Sequence, residues 1–234
     1  MSKVIFKRPV HKQVQKILSS LDRDFLERSQ CFFGGGTRIV LELGEYRESR
    51  DIDFLCANQE GYRAMRETVS ANSLGNISSP EIILAREVRA DQYGIRTFIE
   101  SNGNRLKFEI IREARIELLA QDVGGISVKC LSYPSCFAEK FLVNADRGLD
   151  SSTLSRDVID LAFMIENWPV ADANSGLLVA EQAYGSSIRR NLTLAISKIR
   201  ENKTYRKKCV DGLAVSNSAM ISKGLKKLSR LIEE

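Results

Sequence analysis

Two aspartates separated by one residue are the clearest candidates for chemistry in this sequence. Asp51 and Asp53 flank Ile52 in a segment where acidic and apolar side chains alternate. Residues two apart in a β-strand point to the same face of the sheet, so we expect both carboxylates on one side. Carboxylate oxygens are ligands that Mg²⁺ prefers in proteins. Taken alone, the pair is equally compatible with an ordinary strand that exposes two acids to solvent.

Three glycines and a threonine lie shortly before the aspartates. Gly34, Gly35, Gly36 and Thr37 follow a short apolar run and precede a potentially helical stretch. Glycine lets phosphate oxygens approach the backbone closely, and the free N–H groups at a helix start bind them. Thr37 is expected to cap that helix or to donate its hydroxyl to a nucleotide. A bare glycine run also suits an ordinary turn, but the order strand, glycines, helix and acidic strand is more specific.

This order resembles the polymerase-beta-like nucleotidyltransferase superfamily, in which a glycine pair, a helix and a D-x-D strand follow one another. The resemblance implies Mg²⁺, or alternatively Mn²⁺, held by Asp51, Asp53 and a third carboxylate on a later strand. Glu109 has the required apolar flanks. The superfamily more often has aspartate at that place, and Glu109 can also be interpreted as a surface acid on an edge strand.

A closer resemblance is to the AbiEii/AbiGii-type toxin nucleotidyltransferases, carried by residues 32–55 and 136–165. It implies that Lys140 contacts the triphosphate of an NTP and that Asp157, in an R-D-x-x-D motif, helps to form the active site. Asp160 shares a helix face with Asp157. The alternatives are a surface lysine at 140 and a structural ion pair between Arg156 and Asp157.

The same resemblance assigns nucleotide binding to the glycine loop and to the residues around it. These are Gly35, Gly36, Thr37, Ser49 and Lys140. Ser49 matches the family's serine ahead of the acidic strand, although it can equally serve only to set the turn.

The elements that must position these residues suggest an α+β fold in two parts. We predict a nucleotidyltransferase catalytic domain over residues 1–127, with a mixed sheet and flanking helices, including an antiparallel meander between residues 77 and 116. A C-terminal helical bundle over 128–234 is expected to contribute Lys140 and Asp157 to the active site. A helix is predicted at 9–26, and one long helix at 171–200.

Composition excludes several other classes. Of the 234 residues, 43% are hydrophobic and 28% charged, which disfavours disorder and fibrous structure. No apolar run approaches the roughly 20 residues that span a bilayer, and the N-terminus lacks the apolar core of a secretory signal, so we expect a cytoplasmic protein without a membrane partner. The five scattered cysteines favour reduced, buried thiols.

The one histidine of the chain, His11, lies on the first predicted helix. We expect it at the surface, remote from the acidic strand. A hydrolase that depends on a histidine base is therefore disfavoured.

The predicted activity is transfer of NMP from an NTP to an acceptor hydroxyl, with release of pyrophosphate. The resemblance implies a toxin that acts on the 3′ end of tRNA, with a cognate antitoxin protein as a partner. Transfer to a small molecule or a protein hydroxyl, and a non-catalytic nucleotide- or RNA-binding module, are the alternatives. A basic C-terminal region suits an RNA backbone, although solvated helix faces explain it equally well. It contains Arg189, Arg190, Lys198, Arg200, Lys203, Arg206, Lys207, Lys208, Lys223, Lys226, Lys227 and Arg230, against Glu201 and Asp211.

Overall fold

The computed structural model describes residues 6–233, and the chain divides into two compact units. The first contains the chain up to Glu42 together with Ser49–Ser132, and the second contains Leu43–Glu48 and the chain from Tyr133 onward. The division therefore lies after Ser132, whereas the sequence suggested one after residue 127. Residues 1–5 and 234, which the predicted domain bounds include, lie outside the described residues.

A mixed seven-stranded sheet forms the centre of the first unit. Its order is β3-β4-β5-β2-β1-β7-β6, with parallel pairing of β2 with β5 and of β1 with β7 and antiparallel pairing elsewhere. The strands are β1 (Cys31–Phe33), β2 (Ile52–Cys56), β3 (Leu84–Ala90), β4 (Gly94–Ser101), β5 (Asn104–Arg112), β6 (Ala120–Gln121) and β7 (Cys130–Leu131). The predicted meander is confirmed as β3, β4 and β5, because the apolar runs pair across the turns on either side of β4.

In the described part of the first unit, four α-helices flank this sheet: α1 (Pro9–Ser19), α2 (Arg23–Arg28), α3 (Gly35–Glu42) and α4 (Gln59–Thr68). The helix predicted over 9–26 is two helices, because Asp22 takes an extended conformation and its side chain accepts the Phe25 N–H at 2.8 Å as the N-cap of α2. Asn58 caps α4 in the same manner, accepting the Gly61 N–H. The order strand, glycines, helix and acidic strand is confirmed as β1, α3 and β2.

The second unit is helical in its described part. Its helices are α5 (Tyr133–Arg147), α6 (Arg156–Asn167), α7 (Val170–Tyr184), α8 (Ser187–Glu201), α9 (Lys203–Gly212) and α10 (Ser218–Glu233). The single helix predicted over 171–200 is wrong, since the chain breaks at Gly185, whose φ of +60° and ψ of −148° lie far from the values of a helix interior. An α+β class with a mixed sheet, flanking helices and a helical C-terminal region is confirmed.

Packing follows the apolar patterns in both units. Phe33, Ile52, Phe54 and Phe108 are fully buried in the sheet. All five cysteines are free and buried, as expected. Among residues 6–233, no helix is long and apolar enough to cross a membrane.

Gly224 sets the approach of α10 to α6, because a Cβ at this position would collide with the Ala162 carbonyl group of α6. We expect Gly224→Ala to lower the free energy of unfolding by about 1–3 kcal/mol through overpacking, although alanine favours a helix by about 1 kcal/mol over glycine. Urea unfolding checks this. Lys223→Ala, an exposed change on the same helix, is the control, and equal stability of both variants would contradict the close packing.

Candidate active site

The two aspartates lie at the start of β2. Asp51 immediately precedes the strand and Asp53 is its second residue, and both side chains are half-buried. Their neighbours Ile52 and Phe54 are completely buried and pack into the core of the first unit. These two apolar residues anchor the start of β2 in the core. Their burial therefore fixes the position of the backbone that carries Asp51 and Asp53.

Gly35 and Asp53 make the closest approach in this region. Gly35 opens α3 with a φ of +66°, and a Cβ there would lie 2.5 Å from the Asp53 Oδ2. The Gly34 N–H also donates to the Asp53 carbonyl oxygen at 2.8 Å. Glycine is therefore required at 35 for two reasons, the left-handed backbone and the adjacent carboxylate. The glycine loop and the acidic strand form one local structure.

Glu109 is the register partner of Asp53 on the neighbouring parallel strand β5. Its carboxylate is paired with Arg96 Nε at 3.2 Å through Oε1 and with Lys107 Nζ through Oε2. Within residues 6–233, no group of three or more His, Cys, Asp or Glu side chains is arranged to hold a metal ion. The two aspartates have the donor chemistry for Mg²⁺, whereas ligation by Glu109 requires exchange of these ion pairs.

Thr37 and Ser49 are in direct contact. Thr37 is fully buried in the first turn of α3, and its Oγ1 lies 2.8 Å from the Ser49 Oγ. Ser49 stands two residues before Asp51. Both were predicted to bind nucleotide, and the structure brings them together without testing that role.

His11 is buried, and the expectation of a surface histidine is wrong. The side chain is 0% exposed, and its Nε2 accepts the Ser49 N–H at 3.3 Å. The reason is helical spacing: His11 lies three residues before Val14 and seven before Leu18, on the buried face of α1. The spacing in the sequence is the signal that indicates burial, whereas the polarity of histidine by itself favours exposure.

Lys140 and Asp157 lie in the second unit, in a buried network of charges. The Lys140 Nζ donates to the Asp157 Oδ1 at 2.9 Å and lies 2.7 Å from the Asp160 Oδ2. Arg147 completes the shell of Asp157, with its Nε 2.8 Å from Oδ2. Lys140 is only 6% exposed. Its ammonium group is shared by the carboxylates of Asp157 and Asp160.

Asp160 has two further partners that the sequence did not reveal. Arg47 binds it through Nε at 2.7 Å and Nη2 at 2.8 Å, and the Tyr46 hydroxyl donates to Oδ1. The Tyr46 ring stacks on Phe163 with centroids 3.8 Å apart. These contacts explain why Leu43–Glu48 groups with the second unit.

The network sets the charge states of its members. Burial by itself raises the pKa of Asp157 and Asp160, but the cations of Lys140, Arg47 and Arg147 outweigh burial and hold both pKa values below the ordinary range. Burial lowers the pKa of Lys140, and the two aspartates raise it above its usual value. Burial, aided by Asp160, raises the pKa of Tyr46, which therefore remains a neutral donor.

A family model described as nucleotidyl transferase AbiEii toxin, Type IV TA system, matches residues 16–209. The chain belongs to this family. Membership makes it a nucleotidyltransferase, an enzyme that uses an NTP. The match begins after His11, so this AbiEii family member carries its buried histidine outside the matched region. No curated protein gives a significant match.

Two solved structures are similar over most of the chain. One is an antigenic nucleotidyltransferase-like protein from Paracoccidioides brasiliensis, with 12% identity, a TM-score of 0.41 and coverage of 85% of this chain and 92% of that one. The other is the antibiotic-resistance factor ANT(2″)-Ia, with 13% identity, a TM-score of 0.33 and coverage of 85% and 95%.

Gly35→Ala is expected to displace the Asp53 carboxylate. The methyl group would lie 2.5 Å from Oδ2, closer than van der Waals contact allows, and its residue would be strained at a φ of +66°. We therefore expect nucleotidyl transfer by this AbiEii family member to fall by about 100-fold, as for an approximately 1 Å misplacement of a reacting group. Single-turnover transfer with a labelled NTP measures the effect. Gly124→Ala is the matched control, because a Cβ there meets no atom within 4 Å; equal losses in the two variants would contradict the proposed displacement.

Asp160→Asn tests the buried network. Removal of one buried charge leaves Arg47 and Lys140 undercompensated, which costs about 3–5 kcal/mol of stability at pH 7. The lowered pKa means that the contribution of Asp160 is complete above the unfolded pKa of about 4 and is lost as the pH falls towards the folded value. Asp160→Asn should therefore flatten the acid end of the stability profile.

The matched control for this change is Asp211→Asn. Asp211 forms an exposed pair with Lys207, at 2.8 Å, and exposed pairs contribute about 0–1 kcal/mol. Urea unfolding of both variants between pH 3 and pH 7 provides the measurement. A similar small loss in both would show that the buried network does not stabilise the fold.

Proposed function

We propose that this AbiEii family member transfers NMP from an NTP to the 3′ end of tRNA, as the toxin of a toxin–antitoxin pair. The observation that carries the reaction type is the contact of the glycine loop with the Asp53 carboxylate. The N-terminus of α3, where backbone N–H groups have no partner within the helix, lies next to the carboxylate of Asp53 in β2. A phosphate binds at such a helix start, and a divalent cation binds such carboxylates.

Asp51 and Asp53 are the proposed ligands of Mg²⁺, or of Mn²⁺ in its place. A cation held by these carboxylates would neutralise phosphate charge and would lower the pKa of the attacking hydroxyl. Glu109 is a proposed third ligand, and its position opposite Asp53 in the register supports this. Its pairs with Arg96 and Lys107 keep its charge compensated in the absence of the cation.

The remaining proposed roles belong to binding and orientation of the NTP. Gly35 and Gly36 present backbone N–H groups to the phosphates, and Ser49 supplies a hydroxyl group that the buried hydroxyl of Thr37 orients. Because these groups are fixed before the NTP arrives, they cost little reorganisation when charge develops on the phosphates. Lys140, kept protonated by its aspartate partners, remains a proposed contact of the triphosphate, and Asp157 is the residue that orients it.

The positive charge of the C-terminal region supports the proposal that tRNA is the acceptor. Part of that charge is compensated internally: Arg189 pairs with Glu181, Lys207 with Asp211 and Lys227 with Glu166. Exposed cations remain on α8, α9 and α10, including Arg190, Lys203, Lys208, Lys223, Lys226 and Arg230. Exposed lysines and arginines on neighbouring helices suit an RNA phosphate backbone.

The deciding experiment incubates total RNA with each of the four labelled NTPs in Mg²⁺ and in Mn²⁺. We expect label at the tRNA 3′ end with the wild-type protein, and a loss of about 100- to 1,000-fold in Asp53→Asn and in Asp51→Asn, since each removes a carboxylate ligand of the proposed cation that neutralises phosphate charge. Asp24→Asn, on the exposed surface of α2, keeps full activity.

Other results of the same experiment separate the competing functions. Label on proteins or small molecules with unlabelled RNA would keep the chemistry and replace the acceptor. No transfer by the wild-type protein, together with no binding of any NTP and Mg²⁺ by calorimetry, would overturn the proposed enzyme activity.

A further inference from the structure

His11 is a buried residue near the acidic strand, and the transfer reaction assigns it no role. Its imidazole is completely buried, and its Nε2 accepts the backbone N–H of Ser49 at 3.3 Å. An accepting Nε2 carries no proton, so the ring is neutral in this contact, with its proton on Nδ1. A buried imidazole in this form is a specific acceptor rather than an apolar filler.

The contact lies directly upstream of the proposed metal ligands. Ser49 is two residues before Asp51, and its side chain meets Thr37 Oγ1 at 2.8 Å while its backbone meets His11. Three segments of the first unit therefore converge on Ser49: α1 through His11, α3 through Thr37, and the lead-in to β2 itself. With both the backbone and the hydroxyl of Ser49 held, the chain enters Asp51 from one defined point.

We propose that His11 is a positioning residue, which sets the place of Asp51 by holding the Ser49 N–H. The inference rests on the proposed function of Asp51 and Asp53 and extends it to a residue outside the family match at 16–209. His11 exchanges no proton with substrate in this role. Loss of its acceptor frees the Ser49 backbone and lets Asp51 sample positions in which its carboxylate no longer faces the cation.

Three substitutions of His11 distinguish the effect of its hydrogen-bond acceptor from the effect of its side-chain volume. Glutamine brings a carbonyl oxygen to the position of the imidazole Nε2, whereas the shorter asparagine brings its oxygen only to the position of Nδ1. Leucine fills part of the space and has no acceptor. His11→Gln and His11→Asn are the central comparison, because both are polar amides of similar cost to bury.

The experiment measures four quantities for the wild type and each variant. They are the Mn²⁺ affinity in the absence of NTP, followed by electron paramagnetic resonance, the kcat, the KM for the NTP, and the melting temperature. We expect His11→Gln to stay within about 3-fold of wild type in kcat and Mn²⁺ affinity. His11→Asn and His11→Leu should lose about 10- to 100-fold in kcat, with weaker Mn²⁺ binding and a KM for the NTP changed by less than about 3-fold.

A merely structural role predicts a different result. All three variants would then melt at lower temperature, with equal kcat and Mn²⁺ affinity in His11→Gln and His11→Asn, and this overturns the inference. If His11→Leu does not fold, the amide pair still decides. If the wild type transfers no nucleotide, the proposed function fails, and the Mn²⁺ affinities alone then support or overturn the positioning by His11.

Discussion

The close approach of Gly35 to the Asp53 carboxylate is the constraint on which the arrangement of the first unit depends. A left-handed backbone at the start of α3 turns the chain sharply out of β1, and the missing Cβ makes room for Oδ2 of the aspartate. The Gly34 N–H, bonded to the Asp53 carbonyl, ties the turn to β2 through the backbone as well. Since β1 and β2 also pair directly, backbone hydrogen bonds join the glycine turn and the acidic strand on both sides of α3.

The charges of the predicted site residues are compensated differently in the two units. Glu109 is paired with cations at the edge of solvent, where arginine and lysine exchange partners at low cost. Asp157 and Asp160 are paired in the interior, where loss of one partner leaves an uncompensated buried charge. Lys140 is therefore fixed in position and in protonation state by the same interactions that limit its freedom.

Those features that depend on local sequence could be predicted. The glycine run, the helix behind it and the acidic strand follow one another within about 25 residues of chain, and residue type alone indicates each. The break at Gly185 was missed because glycine is tolerated inside helices, so its presence did not demand an interruption. Distant pairings left no pattern at all: Arg47 and Asp160 are 113 positions apart, and nothing around Arg47 distinguishes it from a surface arginine.

His11 shows a different kind of failure, since its spacing from Val14 and Leu18 indicated burial while its polarity suggested exposure. The polarity of a side chain is a poor guide to its exposure when the side chain has a specific partner. A buried acceptor that receives a hydrogen bond from an N–H group replaces the hydrogen bond that it loses from water. The partner of His11 is the backbone N–H of Ser49, a group that nearly every residue of the chain carries. Side-chain type therefore could not reveal the contact, although the helical period could.

The contact between Thr37 and Ser49 bears on how both residues can also serve a nucleotide. Two hydroxyl groups in contact need only one proton between them, so the other proton remains available to a further acceptor. Thr37 is completely buried and Ser49 is half-buried, so Ser49 is the one with access to a ligand. If Thr37 donates to Ser49, the Ser49 proton points elsewhere, and a phosphate oxygen is a stronger acceptor for it than a neutral hydroxyl. Positioning and phosphate binding are thus compatible in the same pair of side chains.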